Sequence, residues 1–375
     1  AAIEKVEGWG VEFYRREDGT LRRFRSGGHT YPRSLRCAQG RGGDAWRIML
    51  QRAQRQGVHI IKNALITELL MENGRVVGAA GMDGAGKPLA ISAGAVILAT
   101  GGFSSNVEMR ETQVPYLTAD LPTTNIKAAS TGEGIYLAQA IGANTTQMSN
   151  IQRYPWADPN TGVLDKYAVW PFTGPSYGVI YVDYNGNRYV NEGDRRDVCA
   201  NAAVNTGFVS TYAIFTEPVV AGYVRPEEIE AGIADGRILK ADTLDELAEK
   251  INGFEVKGMF PTVTGDNLKA TIEKHNGYID NGEDLDFHKV MASTMVKIEE
   301  GPYYALPQFP SVHHTMGGLV IDTMTRVIDI YGQPIDGLYA AGEVTGGVHG
   351  TNRLGSNADA DACGFGYISG IVVST

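Results

Sequence analysis

A glycine-rich string near the end of the sequence limits the possible folds more than any other segment. It reads GLYAAGEVTGGVHGTNRLGSN over residues 337–357, and an apolar, helix-like stretch runs from Gly355 to Ser374. A flat ligand can lie close to the backbone only where side chains are absent. The string therefore predicts a buried strand, a turn that faces a ligand, and a helix whose N-terminal dipole points at an electron-rich ring edge.

Two earlier segments predict a similar arrangement. Residues 95–99 form a continuous apolar run that ends in TGG at 100–102. A parallel strand that ends in small residues fits the edge of an α/β sheet where a ligand lies. The TGEG sequence at 131–134 then opens an apolar helix that runs to Gly142.

Shorter patterns predict individual helices, strands and hairpins from apolar spacing and turn dipeptides. The predicted elements are helices over 44–57 and 266–277, a short strand over 59–61, and hairpins around Asn73-Gly74 and Asn185-Gly186. The TLDE sequence at 243–246 is a capping box, which predicts that a helix begins there.

The middle of the chain differs from both ends. Aromatic residues and prolines become frequent between residues 149 and 312, whereas α/β patterns occupy the two ends. One discontinuous domain with an insertion explains this better than three separate domains. We therefore expect an α/β domain over 1–148 and 313–375, interrupted by an α+β domain over 149–312.

The composition excludes several classes of protein. The chain has 375 residues, 47 glycines without a third-position repeat and a net charge of −10, so it is not collagen and has no signal for nucleic-acid binding. Its longest apolar runs fall far short of the roughly 20 residues that a membrane helix needs. Three cysteines without a CxxC pair provide neither a zinc ribbon nor a c-type haem attachment, and no metal site is expected.

A second distinctive string, VHHTMGG at 312–318, joins the glycine-rich one as a candidate site. Glu343, at a strand end, is suited to accept hydrogen bonds from ribityl or ribose hydroxyl groups. The other polar residues are ambiguous when they are taken singly. His313 alone suits a core histidine, Arg353 an ordinary salt bridge, and Arg196 a solvated ionic turn.

Taken together, the strings resemble the flavoprotein family of fumarate reductases and succinate dehydrogenases, above all its soluble flavocytochrome-type fumarate reductases and urocanate reductases. The shared stretches are ATGGF at 99–103, TGEG at 131–134, NGNRYVNE at 185–192, RD at 196–197, HHTMGG at 313–318 and AGEVTGGVHGTNRLGSNA at 341–358. The resemblance implies an α/β fold: a discontinuous, incomplete Rossmann-like FAD-binding domain with an inserted α+β capping domain.

The resemblance also implies an FAD-dependent oxidoreductase that reduces the C=C bond of an α,β-unsaturated carboxylate such as fumarate, urocanate or an aryl acrylate. Flavin N5 supplies the hydride in this family, and an arginine that matches Arg196 supplies the proton. His313 and Arg353 match the residues that hold the substrate carboxylate. The implied cofactor-binding residues are Thr100, Gly101, Gly102, Gly132, Glu133, His314, Thr315, Gly342, Glu343, Asn352, Gly355, Ser356 and Asn357.

The sequence departs from the family where fumarate reductases bind a second carboxylate. Tyr154 replaces the family's histidine, and Pro171 and Phe172 stand where a Thr-Glu pair is expected. The far end of the substrate would then meet Tyr154, Trp170 and Phe172. A site without a partner for a second carboxylate discriminates against fumarate, because that charge is left unpaired. We therefore expect a 2-enoate whose far end is not a carboxylate.

The family's N-terminal GxGxxG turn is absent from this sequence, so we expect the chain to be an incomplete flavoprotein. The electron donor, a haem domain, a flavin domain or a redox protein, is expected outside it, and the compartment, bacterial periplasm or cytoplasm, stays open. One alternative is a ketosteroid-type flavin dehydrogenase, and another is an inactive fragment without cofactor. HHTMGG with Arg353 favours the enoate reductase, because a ketosteroid site needs no carboxylate clamp.

Overall fold

The structure is a computed structural model that describes residues 2–24, 29–39, 42–125, 129–168, 170–207, 210–254 and 260–375. The chain divides into two compact units. Unit 1 comprises Ala1–Tyr116, Lys127–Gln152 and His314–Thr375, and unit 2 comprises Leu117–Ile126 and Arg153–His313. The domain boundaries expected from the sequence, 148/149 and 312/313, remain a prediction about which parts fold independently.

Helices and strands are interspersed along the chain. The helices are α1 (Ala2–Gly8), α2 (Gly42–Arg55), α3 (Val107–Gln113), α4 (Glu133–Gln139), α5 (Trp170–Thr173), α6 (Arg196–Asn205), α7 (Glu217–Val220), α8 (Pro226–Ala234), α9 (Leu244–Asn252), α10 (Gly265–Asn281) and α11 (Asn357–Ser374). The strands are β1 (Leu65–Glu72), β2 (Arg75–Met82), β3 (Pro88–Ser92), β4 (Val96–Leu98), β5 (Thr145–Thr146), β6 (Ile151–Ala157), β7 (Ile180–Val182), β8 (Thr211–Thr216), β9 (Leu239–Ala241), β10 (Tyr303–Thr315), β11 (Gly318–Leu319), β12 (Arg326–Ile328) and β13 (Pro334–Ala340).

Unit 1 holds three small sheets. One is an antiparallel meander of β1, β2 and β3, and a short ladder joins β5 to β11. The third has the order β12-β13-β4, and in it β13 runs parallel to β4 with Leu338 opposite Val96 and Ala340 opposite Leu98. This parallel pair directs the chain segments that follow both strands to the same edge of the sheet.

Unit 2 is organised around one larger sheet with the order β6-β10-β8-β7, and β9 pairs with the end of β10. Every residue of β8 is buried. Aromatic rings fill the core on this sheet: the rings of Phe215 and Tyr304 stack at 5.4 Å, and those of Trp156 and Tyr181 lie 5.9 Å apart. The aromatic composition of the middle segment is therefore largely core packing.

Several local predictions are confirmed. The helix expected over 44–57 is α2, and the helix expected over 266–277 lies within α10. The hairpin around Asn73-Gly74 joins β1 to β2, and these two turn residues have φ angles of +50° and +80°. Such left-handed angles are what a two-residue hairpin turn requires.

Two local predictions are wrong. The residues at 59–61 form no strand, since apolar composition makes a strand only where a neighbouring strand offers its backbone. The second predicted hairpin is reduced to a turn at Asn185-Gly186, closed by a single bridge between Val182 and Arg188. β7 pairs with β8 instead, and Arg188 turns into a buried ionic cluster.

This cluster, the buried ionic cluster, consists of Arg188, Glu192, His275, Asp284 and Lys289. The Arg188 guanidinium lies between two carboxylates, with Nε 2.7 Å from Glu192 and Nη2 2.8 Å from Asp284. The Lys289 ammonium lies 3.2 Å from Glu192 and donates to Nε2 of His275 at 3.2 Å. Two cations thus balance two carboxylates, with a neutral imidazole beside them.

Burial and neighbouring charges shift the pKa values in this cluster. Burial by itself raises the pKa of Glu192, but the charges of Lys289 and Arg188 outweigh it and bring the pKa to about 2. Burial and the adjacent Lys289 ammonium lower the pKa of His275 to about 3. Glu192 therefore stays ionised, and His275 stays neutral, throughout the physiological pH range.

No helix among the described residues is long and apolar enough to cross a bilayer. Within the same residues, no three His, Cys, Asp or Glu side chains are grouped so that they could hold a metal ion.

The neutral His275 makes stability depend on pH. Its folded-state pKa lies below the unfolded value of 6.5, so the unfolded chain takes up a proton first and stability falls as the pH drops from 6.5 toward 3. Replacing His275 with Gln should remove this dependence, which amounts to a few kcal/mol, on the order of one per pH unit. Urea unfolding at pH 7.5 to 5 measures it, since the carboxylates stay ionised there.

Thr271→Val is the matched control. It lies one turn earlier on α10 and loses the 2.8 Å hydrogen bond to the Gly186 carbonyl without removing a titratable group. It should lower the unfolding free energy by the same amount at every pH. Parallel curves for the wild type and His275→Gln would contradict the assignment.

Candidate functional site

The glycines predicted to face a cofactor meet at one edge of the parallel strand pair in unit 1. Gly101 and Gly102 follow β4, and Gly342 follows β13, its parallel neighbour. Gly342 has a φ of +77°, a conformation that side chains other than glycine rarely adopt. The Gly102 carbonyl accepts a hydrogen bond from the N–H of Gly132, which precedes α4, at 3.1 Å.

Gly102 has no room for a side chain. A Cβ atom there would overlap the Thr315 hydroxyl and the Glu343 carboxylate. The Thr315 hydroxyl also accepts from the backbone N–H of Phe103 at 3.3 Å. The backbone is thus packed directly against polar groups of the HHTMGG string, and we call this contact between the glycine turns and the string the cradle.

His314 and Glu343 form the polar centre of this cradle. Glu343 accepts from the Thr315 N–H at 2.9 Å, and its other oxygen lies 3.2 Å from Nδ1 of His314. Burial by itself raises the pKa of Glu343, but the hydrogen bond from His314 outweighs it and the pKa is lowered. Burial lowers the pKa of His314, so its ring is neutral with the proton on Nδ1.

The Glu343 geometry modifies its expected role. The sequence predicts that this carboxylate accepts hydroxyl hydrogen bonds from a ribose or ribityl chain. In the structure its oxygens already accept from Thr315 and His314, so its first task is to hold the HHTMGG string against the end of β13. Nε2 of His314 is buried and has no hydrogen-bond partner among the described residues.

The loop that carries Arg353 is held by Gln152. The Gln152 side chain is buried and donates to the Asn352 side chain at 2.5 Å and to the Arg353 carbonyl at 2.7 Å. Nε2 of His29, also buried, donates to the Gly355 carbonyl at 2.7 Å. Arg353 itself is 6% exposed. Neither Gln152 nor His29 carries a local signal in the sequence, since both act on backbone or amide groups far away in the chain.

The remaining predicted cofactor residues of unit 1 lie at helix starts. Ser356 precedes α11 with a φ of +68°, and Asn357 is the first residue of that 18-residue helix. Glu133 is exposed at the start of α4, where it accepts from the Thr131 hydroxyl. The Thr100 side chain lies against Gly134, where a Cβ would overlap it.

Unit 2 brings together four residues that lie far apart in the sequence, and we call them the Arg196 cluster: Thr124, Tyr154, Arg196 and His313. β6 carries Tyr154 and its sheet neighbour β10 carries His313, so their rings lie 5.2 Å apart. The Arg196 guanidinium lies over the Tyr154 ring at 4.8 Å. The Thr124 hydroxyl and Nδ1 of His313 are hydrogen-bonded at 2.7 Å.

Arg196 differs sharply from its neighbour Arg195. Arg195 pairs with Asp197 at 2.9 Å and is 56% exposed, so the solvated ionic turn suggested by the sequence consists of these two residues. The Arg196 side chain is instead packed on an aromatic ring, and burial lowers its pKa. Burial disfavours the charged form of Arg196 and makes it a better proton donor than a guanidinium paired in water, although the Tyr154 ring acts in the opposite direction.

The Tyr154 hydroxyl is committed to the protein. It donates to the Ala168 carbonyl at 2.9 Å, and the Trp156 ring meets the Tyr154 ring edge-on at 5.2 Å. The Trp170 ring packs edge-on against Tyr167 at 5.3 Å. The side chain of Phe172 lies outside the described part of the structure. The Tyr154 ring is thus buried within the cluster, with its hydroxyl turned to the backbone.

Thr124 is a member of this cluster that sequence reasoning missed. It belongs to the short segment 117–126, whose backbone pairs with Val312 next to His313: the Thr124 N–H donates to the Val312 carbonyl at 2.8 Å. The segment carries no motif, so no local signal could have found it. It reaches the cluster only because the chain crosses into unit 2 for ten residues.

Residues 1–358 match the family described as FAD binding domain. The chain belongs to this FAD-binding family. The predicted resemblance is confirmed, and so are the α/β FAD-binding fold and FAD as the cofactor.

Two curated relatives and one solved structure show how far the similarity extends. The chain is 40% identical over 329 residues to the NADH:acrylate oxidoreductase of Vibrio harveyi. The matched region covers 85% of this chain and 31% of that protein. It is 35% identical over 351 residues to the urocanate reductase of Eggerthella lenta, and this match covers 92% of this chain and 55% of that protein. The solved structure of a flavocytochrome c3 fumarate reductase in its open conformation is similar, with a TM-score of 0.78 and 29% identity. The match covers 100% of this chain and 62% of that one. The chain spans less than two thirds of each of these proteins.

The residues of the cradle fit this cofactor. Gly101 and Gly342 offer backbone without close neighbours on the side where a Cβ would stand, and the unpartnered Nε2 of His314 is an acceptor for an N–H or O–H donor. Gly101 and Gly342 would lie against the ring, and Gly102 lets Thr315 and Glu343 pack against the turn that carries them.

A side chain at Gly102 should therefore weaken FAD binding. Gly102→Ala forces Thr315 and Glu343 to shift, at a cost of about 1–3 kcal/mol, or a roughly 5- to 150-fold weaker FAD affinity. Fluorescence titration of the apoprotein with FAD measures it. Gly364→Ala, on α11 where a Cβ meets nothing within 4 Å, should bind FAD as the wild type does. An unchanged affinity in Gly102→Ala would remove this residue from the cradle.

Proposed function

We propose that this chain is the flavin-binding part of a reductase that saturates the C=C bond of a 2-enoate with a single carboxylate. The observation that carries the proposal is the Arg196 cluster. In it the candidate proton donor, Arg196, and a candidate carboxylate ligand, His313, both pack against the Tyr154 ring. The similarity to acrylate, urocanate and fumarate reductases supports the same chemistry.

Arg196 would deliver the proton. Reduction of the alkene adds a hydride to the carbon β to the carboxylate and a proton to the α carbon. FAD, when bound, supplies the hydride. Arginine is a poor acid in water, but burial outweighs the opposing effect of the Tyr154 ring and lowers the pKa of Arg196. This shift makes release of its proton easier.

His313 and Arg353 would bind the substrate carboxylate. Negative charge develops on that group when hydride adds at the β carbon, so donors placed there stabilise the transition state more than the ground state. The Thr124 hydroxyl holds the orientation of the His313 ring at 2.7 Å. Gln152 holds the backbone of Arg353 at 2.7 Å, and a guanidinium can bind a carboxylate with two parallel hydrogen bonds.

The aromatic surface of Tyr154 supports a substrate whose far end carries no second carboxylate. Its hydroxyl donates to Ala168, so it has no proton to offer a substrate anion. Placing a carboxylate against an apolar ring costs several kcal/mol in lost hydration. This cost should lower kcat/KM for a substrate with a second carboxylate by about tenfold or more. Acrylate-type and aryl or imidazolyl acrylate-type acids have no such charge.

The electrons would come from a haem domain, a flavin domain or a redox protein outside this chain. The lengths of the relatives support this, because they contain more than the part that matches here.

A panel of enoates tests the substrate class. The FAD-loaded protein, reduced with a viologen dye, should reduce acrylate, cinnamate-type acids or urocanate with a kcat/KM at least about tenfold above that for fumarate. Dye oxidation measures the rates at equal enzyme concentration. If fumarate is the best substrate of the panel, the single-carboxylate assignment is wrong.

Replacing Arg196 tests the proton donor. Arg196→Ala should lower kcat by about 10²- to 10⁴-fold, with KM changed little, because a positioned acid acts mainly in the transition state. Arg195→Ala is the matched control, since it removes the same side chain from the exposed neighbouring position. Near-normal turnover in Arg196→Ala would take this residue out of the chemistry.

A further inference from the structure

The loop that leads to Arg196 starts from a fully buried carboxylate. Glu192 stands four residues before Arg196, and its side chain has no solvent exposure. Its oxygens accept from Nε and Nη2 of Arg188 at 2.7 and 2.8 Å and from the Tyr181 N–H at 3.2 Å, and the Lys289 ammonium lies 3.2 Å away. Four donor atoms from three residues thus fix the position of this one carboxylate.

The opposite side of the buried ionic cluster is anchored to a different segment. Asp284 binds the same Arg188 guanidinium at 2.8 Å, and it also accepts the backbone N–H groups of Asp286, Phe287 and Lys289 at 3.1 to 3.3 Å. Arg188 therefore has two equivalent carboxylate partners. Only Glu192 belongs to the segment that continues to Arg196.

The loop between Glu192 and α6 is short and hydrogen-bonded. The N–H of Gly193 donates to the Asn191 side chain at 2.9 Å, and the N–H of Asp194 donates to the Asn191 carbonyl at 3.1 Å. The Cys199 thiol, one turn into α6, also donates to the Asn191 carbonyl at 3.6 Å. A displacement of Glu192 would therefore be carried to the first residue of α6, which is Arg196.

Stability alone does not account for this arrangement. Taking ion pairs out of water costs several kcal/mol per ion, and hydrophobic residues of similar volume often stabilise a core as well or better. The charges restrict the position of the Glu192 side chain, since a carboxylate with four donors has one position and an apolar side chain has several. The segment that starts from this fixed position leads to the Arg196 guanidinium over Tyr154.

We propose that Glu192, held by Arg188 and Lys289, is a positioning residue that sets where the Arg196 guanidinium lies over the Tyr154 ring. It does not touch the substrate or the cofactor in this assignment. The consequence for turnover rests on the proposed function, whereas the consequence for the loop does not.

The test compares the two carboxylates of Arg188 in the FAD-loaded protein. Glu192→Gln and Asp284→Asn each remove one buried charge from the same guanidinium, so their losses of stability should be similar. Glu192→Gln should lower kcat by about 10- to 100-fold through misplacement of Arg196, with KM within about twofold. Asp284→Asn should keep kcat within about twofold of the wild type.

Hydrogen exchange provides a measurement that does not need activity. The amides of residues 193–197 should exchange at least about tenfold faster in Glu192→Gln than in Asp284→Asn, because only the former releases this loop. If Glu192→Gln does not fold, Glu192→Asp keeps the charge, shortens the side chain and should show the same two effects.

The outcomes separate the two proposals. Equal losses of kcat and equal exchange in both variants would show that the cluster is only structural and would overturn the positioning role. If the wild type reduces no 2-enoate, the proposed function fails, and the exchange comparison alone then decides whether Glu192 holds the loop.

In an Arg196→Lys background, Glu192→Gln should cause no further loss of kcat, and an additive loss would overturn the proposal.

Discussion

The parallel pairing of β4 with β13 is the contact on which the cofactor cradle of unit 1 depends. Because the two strands run in the same direction, Gly101, Gly102 and Gly342 leave the sheet at one edge. Glu343 then uses its carboxylate to hold the HHTMGG string against that edge. A carboxylate placed for binding a ligand is here first a structural acceptor, which explains why Gly102 has no room for even a methyl group.

Burial decides the chemistry of similar side chains in unit 2. Arg195 and Arg196 are adjacent and have the same intrinsic acidity, yet the exposed one pairs with Asp197 and the buried one lies on Tyr154. Low local dielectric lowers the pKa of the buried guanidinium. The opposite outcome holds in the buried ionic cluster, where carboxylates face cations directly and keep Arg188 charged. The groups that surround each arginine therefore decide its role: Arg196 is a candidate acid, whereas Arg188 is a structural ion-pair partner.

Much of the local structure could be predicted, because helix periodicity, turn dipeptides and glycine-terminated strands depend on neighbouring residues only. The hairpin at Asn73-Gly74 and the helices α2 and α10 follow from such patterns. The strand expected at 59–61 fails because no pattern within three residues can supply a partner strand. Thr124 and Gln152 could not be found for a related reason, since neither lies in a motif and each acts through a contact formed by the fold.

By itself the sequence determined the family, the cofactor and the positions of the glycines that follow β4 and β13, because these depend on side chains that are present or absent at fixed places. The tertiary structure decided which groups each polar residue meets. Thr124 and His313 are 189 residues apart and meet because the segment 117–126 pairs with the backbone next to His313. Hydrogen-bond partners and pKa shifts depend on distances of a few ångströms, and chain spacing does not encode those distances until the core has packed.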